Sequence, residues 1–460
     1  MKNIRIGFLP LYVKLYDDFC ADIRSEVDKY CEDVASVLRR EGAELVFSDV
    51  CRVSPEIEAA VKSFEASDVD AIVTLHLAYS PSLEGVDALS ATKLPIIMLD
   101  TTRDFCFDFN AEEGSFMYNH GIHGVQDLAN ILKRAGKDYT VFAGHYLESD
   151  VVKRCVNAVR AIRAARFVKG ARVGTLGGGF DGMGDFLVNE DAIKKLGIST
   201  VACDGEELEA IKKTVSEEEI KAEYELDTRE NACGIPFHEY AACERSALAV
   251  RKWIKKEGLS AFTMNFLGAG KMQGFDNVPF TEACKQMANN VGYAGEGDAL
   301  DAAFVGALMQ SFDEVNFVEM FCPDWKNGAI YFNHMGECNL ALMEDVRMMT
   351  KPFGFSDIGP QIYILGNMKA GKGCLFNIAP NACGWFDAII VEGEMLKVPE
   401  KLDNFRENIN GWFKPYASLE ALLEKYSELG GTHHSIFVYG ACAKSLSLFT
   451  KALDIKCTVI

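Results

Sequence analysis

The chain lacks several features that would narrow its function at once. It has no CxxC pair and no zinc-type spacing, although it carries 15 cysteines in 460 residues. A secreted protein that rich in cysteine would show a paired disulfide framework, so reduced thiols in a cytoplasmic protein are expected. No stretch approaches the roughly 20 apolar residues a membrane span needs. The apolar run Ile6 to Val13 is too short for a signal peptide, has no small-residue cleavage site and leads into Lys14, so it reads as a first β-strand. Basic residues are in deficit, 47 Lys and Arg against 67 Asp and Glu, for a net charge of −20. That balance argues against nucleic acid and anionic membrane surfaces as partners, and it leaves a neutral small molecule open. There is no internal repeat, low-complexity tract or long linker.

Nucleotide motifs are missing too. The Gly-Lys pairs at Gly270-Lys271 and Gly371-Lys372 lack the GxxxxGK[ST] pattern of a P-loop. The glycine-rich run Gly177 to Gly184 follows a strand signal but has neither the spacing nor the downstream acid of a dinucleotide fingerprint.

What is present is ample core material, 49% hydrophobic residues, in a chain too long for a single core. The first third alternates strand and helix patterns. Strands are expected at Ile4 to Leu11, Ala43 to Val50, Ala71 to Leu77, Pro95 to Asp100 and Tyr139 to Gly144. Helices are expected at Asp17 to Arg40, Ser54 to Phe64, after Val125 and at Val151 to Ala165. This alternation predicts a doubly wound parallel sheet with ligand loops at the strand C-termini, around Tyr79 and around Asn119 to Gly124. A second α/β unit begins near Gly170, with a strand at Ala171 to Leu176, helices through Glu206 to Ala222 and Glu239 to Glu257, and a strand from Leu259 to Phe266. From Val315 short apolar runs broken by Gly, Pro and Asn predict an antiparallel barrel or sandwich. The expected domains are 1–168, 169–314 and 315–460: two Rossmann-like α/β domains, then a β-barrel-like domain.

Four polar residues stand out inside apolar or glycine-bearing segments: Glu296 in Gly-Glu-Gly-Asp, Glu319 in Phe-Val-Glu-Met-Phe, His334, and one of His433-His434. Two carboxylates and two imidazoles form a donor set that a divalent ion such as Mn²⁺ accepts. The gaps of 23, 15 and 100 residues are too long for a helix-face motif, so only the fold could unite them. Taken singly, each has a plainer reading. Glu319 lies on the solvent side of an edge strand or has a buried partner, because an unpaired carboxylate among Phe317, Val318, Met320 and Phe321 is costly. His334, between Phe332 and Met335, poses the same choice. Adjacent His433 and His434 point different ways, so at most one binds a metal. Asp298, just before the helix Ala299 to Gln310, reads as an N-cap, with Asp301 three residues on completing an arrangement similar to a capping box.

The segment Pro279 to Asp298 resembles the active-site approach of the L-arabinose isomerases, within the wider L-arabinose/L-fucose isomerase superfamily. Gly430 to Ser435 resembles their Gly-Gly-Ala-His-His-Thr element, and Leu75 to Pro81, Val141 to Tyr146 and Ala261 to Phe266 resemble further segments. The resemblance implies that Glu296, Glu319, His334 and His434 hold one Mn²⁺, or another divalent ion such as Co²⁺ or Mg²⁺, with no organic cofactor. It implies an acid/base role for Glu296 and Glu319 in aldose–ketose isomerisation, and a sugar pocket involving Tyr79, His120, His123, Phe266 and His433. It also implies a homo-oligomer, a hexamer being one form, in which a neighbouring subunit's N-terminal domain completes the pocket. The sugar-contacting set departs from the family. Gly-Ser-Gln-His-Leu-Tyr becomes Gly7-Phe-Leu-Pro-Leu-Tyr12, and His120 replaces a second glutamine. A different sugar is therefore expected. A hydride shift instead of an enediol, a sugar epimerase or lyase, and a non-catalytic sugar-binding protein remain alternatives.

Overall fold

A computed structural model of the chain describes residues 4–355, 358–399 and 404–460. It separates into two compact units, Met1–Arg163 and Ala164–Ile460.

The first unit is built on five parallel strands, β1 (Ile4–Leu11), β2 (Ala43–Phe47), β3 (Ala71–His76), β4 (Ile96–Asp100) and β5 (Tyr139–Ala143), in the order β2-β1-β3-β4-β5. All six residues of β3 are buried, which explains its nearly unbroken apolar sequence: helices cover both faces of a parallel sheet. The helix Arg24–Arg40 buries Val27, Tyr30, Val34, Val37 and Leu38, one stripe at helical spacing. The expected long helix from Asp17 begins instead as a separate short one, Lys14–Phe19, because Cys20 leaves helical geometry at φ −140°. The strand order places a topological switch point between β1 and β3, so ligand loops belong at their C-terminal ends. Tyr79 follows β3 there, and His120 and His123 lie in the connection after β4 and the start of the helix Gly121–Arg134.

The second unit joins a parallel sheet to a barrel. Strands β6 (Arg172–Leu176), β7 (Ser199–Ala202), β8 (Ala261–Met264) and β9 (Gly292–Gly295) are parallel, in the order β7-β6-β8-β9. The stretch 206–222 divides into helices Gly205–Lys212 and Glu217–Glu230, because Ser216 opens a new capping box with Glu219. The strand expected to reach Phe266 stops at Met264, where the Asn265 side chain caps the one-turn helix Phe266–Ala269.

Then follow β10 (Val315–Asp324), β11 (Ala329–Phe332), β12 (Met343–Lys351), β13 (Gln361–Met368), β14 (Gly371–Pro380), β15 (Phe386–Met395), β16 (Ile409–Pro415), β17 (His434–Tyr439) and β18 (Lys456–Val459). Six of these close an antiparallel barrel, β10-β11-β16-β15-β14-β17 and back to β10. The helix Ala299–Met309 is buried at every position. It packs against β9 on one side and β10 and β17 on the other, and so ties the parallel sheet to the barrel. Apart from Asp301 it is apolar all round, as expected where nothing on a helix meets water. No described helix is long and apolar enough to cross a membrane.

Candidate metal centre

The candidate ligands converge through two local rules. At the C-terminal end of β9, Glu296 adopts φ +63°, a left-handed conformation uncommon for a residue with a side chain. Its backbone is held there from both sides: its N–H donates to Met264 O at 2.8 Å and its carbonyl accepts from Phe180 N–H at 3.1 Å. Gly295 is required beside it, since a Cβ there would stand 2.8 Å from His334 Cε1. Glu319 and His434 are direct cross-strand partners in the antiparallel pair of β10 and β17. Opposed residues project from the same face about 5 Å apart, which brings these two together across 115 residues of sequence. His334, two residues past β11, completes the group.

Glu296 Oε2 stands 3.5 Å from His434 Nε2 and 3.5 Å from His433 Nε2. Glu319 Oε2 lies 3.7 Å from His334 Nε2, and Glu319 Oε1 lies 3.8 Å from His433 Nε2. Glu296 Oε2 and His434 Nε2 are both buried and make no hydrogen bond. Two orphaned donor atoms facing each other at 3.5 Å suit a shared cation, because two bonds of about 2.1 Å meeting near the tetrahedral angle span roughly that gap. Glu296, His433 and His434 present atoms within 4.8 Å of one another. The donor set therefore fits a divalent ion, and the geometry sets His433 Nε2 beside it, 3.5 Å from Glu296 and 3.8 Å from Glu319.

The far sides of the imidazoles are anchored. His434 Nδ1 is 2.9 Å from Asp298 Oδ2, and its ring stacks on Phe186 at 4.9 Å. Asp298 uses its other oxygen to accept the Asp301 N–H at 2.9 Å, so the expected N-cap is present and the same carboxylate also orients a ligand. The expected reciprocal half of the box is absent: Asp298 N–H goes to Gly295 O, and both carboxyl oxygens of Asp301 are buried without partners. Burial and neighbouring Asp298 hold the Asp301 carboxyl well above the carboxylate range. His334 Nδ1 sits against the Glu337 carboxylate, which also accepts the Tyr293 hydroxyl. His433 Nδ1 lies 2.6 Å from Asp185 Oδ2.

Electrostatics separates the two glutamates. Burial works to raise Glu296, but His433 and His434 overcome it and bring the carboxyl down to about 2. Glu319 goes the other way, raised by burial that His334 only partly offsets. Burial depresses His434, and Asp298 and Glu296 more than reverse this, taking it to about 10.

The predicted sugar contacts fall in both units. Phe266 is buried, edge-on to Phe180 at 5.4 Å and to Phe353 at 5.6 Å. In the first unit Tyr79 donates its hydroxyl to Asp127 at 3.1 Å. There His120 Nε2 lies 3.1 Å from Tyr16 Oη, and its ring is 5.5 Å from that of His123. Sequence reasoning missed Asp185, Phe186, Glu337 and Tyr293. Glu337, three residues after His334, carried a readable signal; Asp185 carried none.

Comparison with known proteins decides the family. The L-arabinose isomerase N-terminal, central and C-terminal domain patterns match residues 12–169, 182–312 and 314–456. The chain belongs to the L-arabinose isomerase family. An L-arabinose isomerase of Shouchella clausii is 25% identical, covering 99% of this chain and 93% of its own length. One from Bacteroides thetaiotaomicron is 24% identical, covering 91% and 86%. L-arabinose isomerase 1 of Bacillus licheniformis is also 24% identical, covering 89% and 85%. By class the chain is an aldose–ketose isomerase, an intramolecular oxidoreductase, and the reading as a non-catalytic binding protein is not favoured.

Proposed function

We propose that this isomerase interconverts a pentose, hexose, deoxysugar or related derivative other than L-arabinose, through a cis-enediol, at the centre formed by Glu296, Glu319, His334 and His434. The observation that carries the reading is the pair of buried, unpartnered atoms Glu296 Oε2 and His434 Nε2 facing each other across a gap walled by two further ligand-type side chains. These residues would hold Mn²⁺ or a similar ion, which supplies polarisation of the sugar carbonyl and stabilisation of negative charge on its oxygens. One glutamate takes the proton from C2 of the aldose and returns it to C1, while the other moves the proton between the two oxygens. Each such transfer contributes typically about 10²–10⁴-fold. Asp298 and Glu337 hold the ligand imidazoles by their far nitrogens. Phe186, stacked on the His434 ring, excludes water from that side.

Loss of both glutamine positions of the family's sugar-contacting segments supports a substrate other than L-arabinose. Exposed Phe105, Phe107, Phe116 and Ile122, in the connection after β4 and the first turn of the helix Gly121–Arg134 with His120 and His123, support a homo-oligomer in which Tyr79, His120 and His123 serve a neighbouring copy. The division into domains 1–168, 169–314 and 315–460 and a cytoplasmic setting belong to the same reading.

The test is metal-stripped protein incubated with and without Mn²⁺, in deuterated water, against pentoses, hexoses, deoxysugars and acidic sugars. Metal-dependent ketose carrying deuterium at C1 is expected. Ketose without deuterium would leave a hydride shift or a proton shielded from solvent, and L-arabinose as the best substrate would overturn the specificity reading.

A further inference from the structure

The glycine-rich run Gly177 to Gly184 lies against the candidate metal centre. Gly177, Gly178 and Gly182 have φ of +81°, +74° and +90°, a path that side chains resist. The loop seats directly on the turn carrying Glu296. A Cβ on Gly297 would stand 2.6 Å from Gly178 O, and Asn265 Nδ2 donates to Gly179 O at 2.7 Å. At its far end the loop delivers Asp185 to His433, 248 residues away in sequence.

One oxygen of Asp185 accepts two hydrogen bonds from the same residue, from the His433 backbone N–H at 3.0 Å and from ring Nδ1 at 2.6 Å. A single surface ion pair is worth little, and the Asp185 side chain is 38% exposed, so this contact is not there chiefly for stability. Its consequence is geometric. With Nδ1–H committed to Asp185, the ring is fixed in one orientation and one tautomer, and Nε2 is turned toward Glu296 and Glu319. A carboxylate placed this way selects which imidazole nitrogen faces the substrate.

We infer that Asp185 is a positioning residue for the isomerisation: it holds His433 in its Nδ1–H form so that Nε2 accepts a hydrogen bond from a sugar hydroxyl between the two glutamates. This rests on the isomerase reading for the sugar, but not for the Asp185–His433 contact.

The experiment compares Asp185→Ala, Asp185→Asn, His433→Ala and the Asp185→Ala/His433→Ala double variant, each loaded with Mn²⁺. Asp185→Ala is expected to raise KM for the sugar about tenfold with kcat changed less, the effect of one lost hydrogen bond. Asp185→Asn is expected to do much the same, since its amide can donate to Nδ1 and stabilise the other tautomer. In the His433→Ala background, Asp185→Ala should add nothing, because the residue acts only through His433. Calorimetric Mn²⁺ affinity should stay within threefold of wild type. Additive losses, or a parallel fall in Mn²⁺ affinity of tenfold or more, would overturn the inference. A second readout is independent of turnover. ¹⁵N spectra of metal-free protein should show His433 losing its Nδ1–H form in Asp185→Ala; an unchanged tautomer sinks the proposal. If wild type isomerises no sugar, the proposed function fails while the spectra still decide the role of Asp185.

Discussion

Two buried acidic clusters in the second unit differ in what neutralises them. Glu223, Asp227 and Glu244 lie close enough to hold an ion, as do Glu296 and its histidines. In the first cluster the chain provides the cation itself. Lys285 Nζ reaches Glu223 at 2.8 Å, Asp227 at 2.7 Å and Glu244 at 3.1 Å, using all three of its donors. Arg251 then pairs Glu223 with Glu282. In the second cluster no lysine or arginine is recorded against the carboxylates of Glu296 and Glu319 among the described residues; their partners are imidazoles, and two donor atoms remain unpartnered. A cleft of about 530 Å³ opens beside the closed cluster, so available space alone does not single out the proposed active centre. The lack of a built-in cation is what sets the proposed centre apart.

The largest expected effect is at the open cluster. Glu296→Gln and Glu319→Gln should each lower turnover by about 10²–10⁴-fold while the protein stays folded. Near-normal kcat in either variant, with an unchanged melting curve, removes that residue from the mechanism. Lys285→Met should break the closed cluster, costing about 3–5 kcal/mol because buried carboxylates lose their counter-charge. Urea unfolding reads this directly, and a loss below about 1 kcal/mol would show that the carboxylates are content without it.

Asp298→Asn sharpens the contrast more mildly. Mn²⁺ affinity should fall about 10–100-fold as His434 loses its orienting carboxylate, measured by calorimetric titration. Unchanged affinity would leave Asp298 with its capping role alone.

The smallest effect is in pH dependence, where two acids of the closed cluster have opposite signs. Burial works to raise Glu223, but Arg251 and Lys285 bring it down to about 2 from a usual 4.5. Its contribution to stability is present above pH 4.5 and is lost as the pH falls toward 2. Glu244 is raised by burial, which Lys285 only partly offsets, to about 7. The native state then keeps a proton that the unfolded chain releases, so stability falls as the pH rises from 4.5 to 7. Glu244→Gln should remove that decline, seen as a flatter urea midpoint between these pH values. An unchanged slope would assign the decline to another group.

Much of this was legible in the sequence where the signal is local. β3 reads as a buried strand because burial on both faces demands unbroken apolar residues. Glu319 and His334 read as residues needing partners because their neighbours are apolar. The Asp298 cap was readable from its place before a helix, whereas its hold on His434 depends on a second oxygen whose partner lies 136 residues away. Lys285 lies in the same segment, Pro279 to Asp298, as Glu296, yet nothing local says that it fills a hole among three acids from two other helices. The glycine run at Gly177 lacks the spacing of a dinucleotide fingerprint, and its place beside Glu296 arises from the order of β6, β8 and β9 in the sheet.

The sequence by itself determined the alternation of elements, the change to short strands after Val315, the donor types at Glu296, Glu319, His334 and His434, and the kinship that joins them. These follow from residue chemistry and periodicity over a few neighbours. Tertiary structure alone decided that Glu319 faces His434, that Asp185 claims His433, and that one acidic cluster is closed by Lys285 while the other stays open. Each of these depends on strand register, sheet order or helix packing between distant segments, and a side chain's electrostatic partner is set by distance in space, not in sequence.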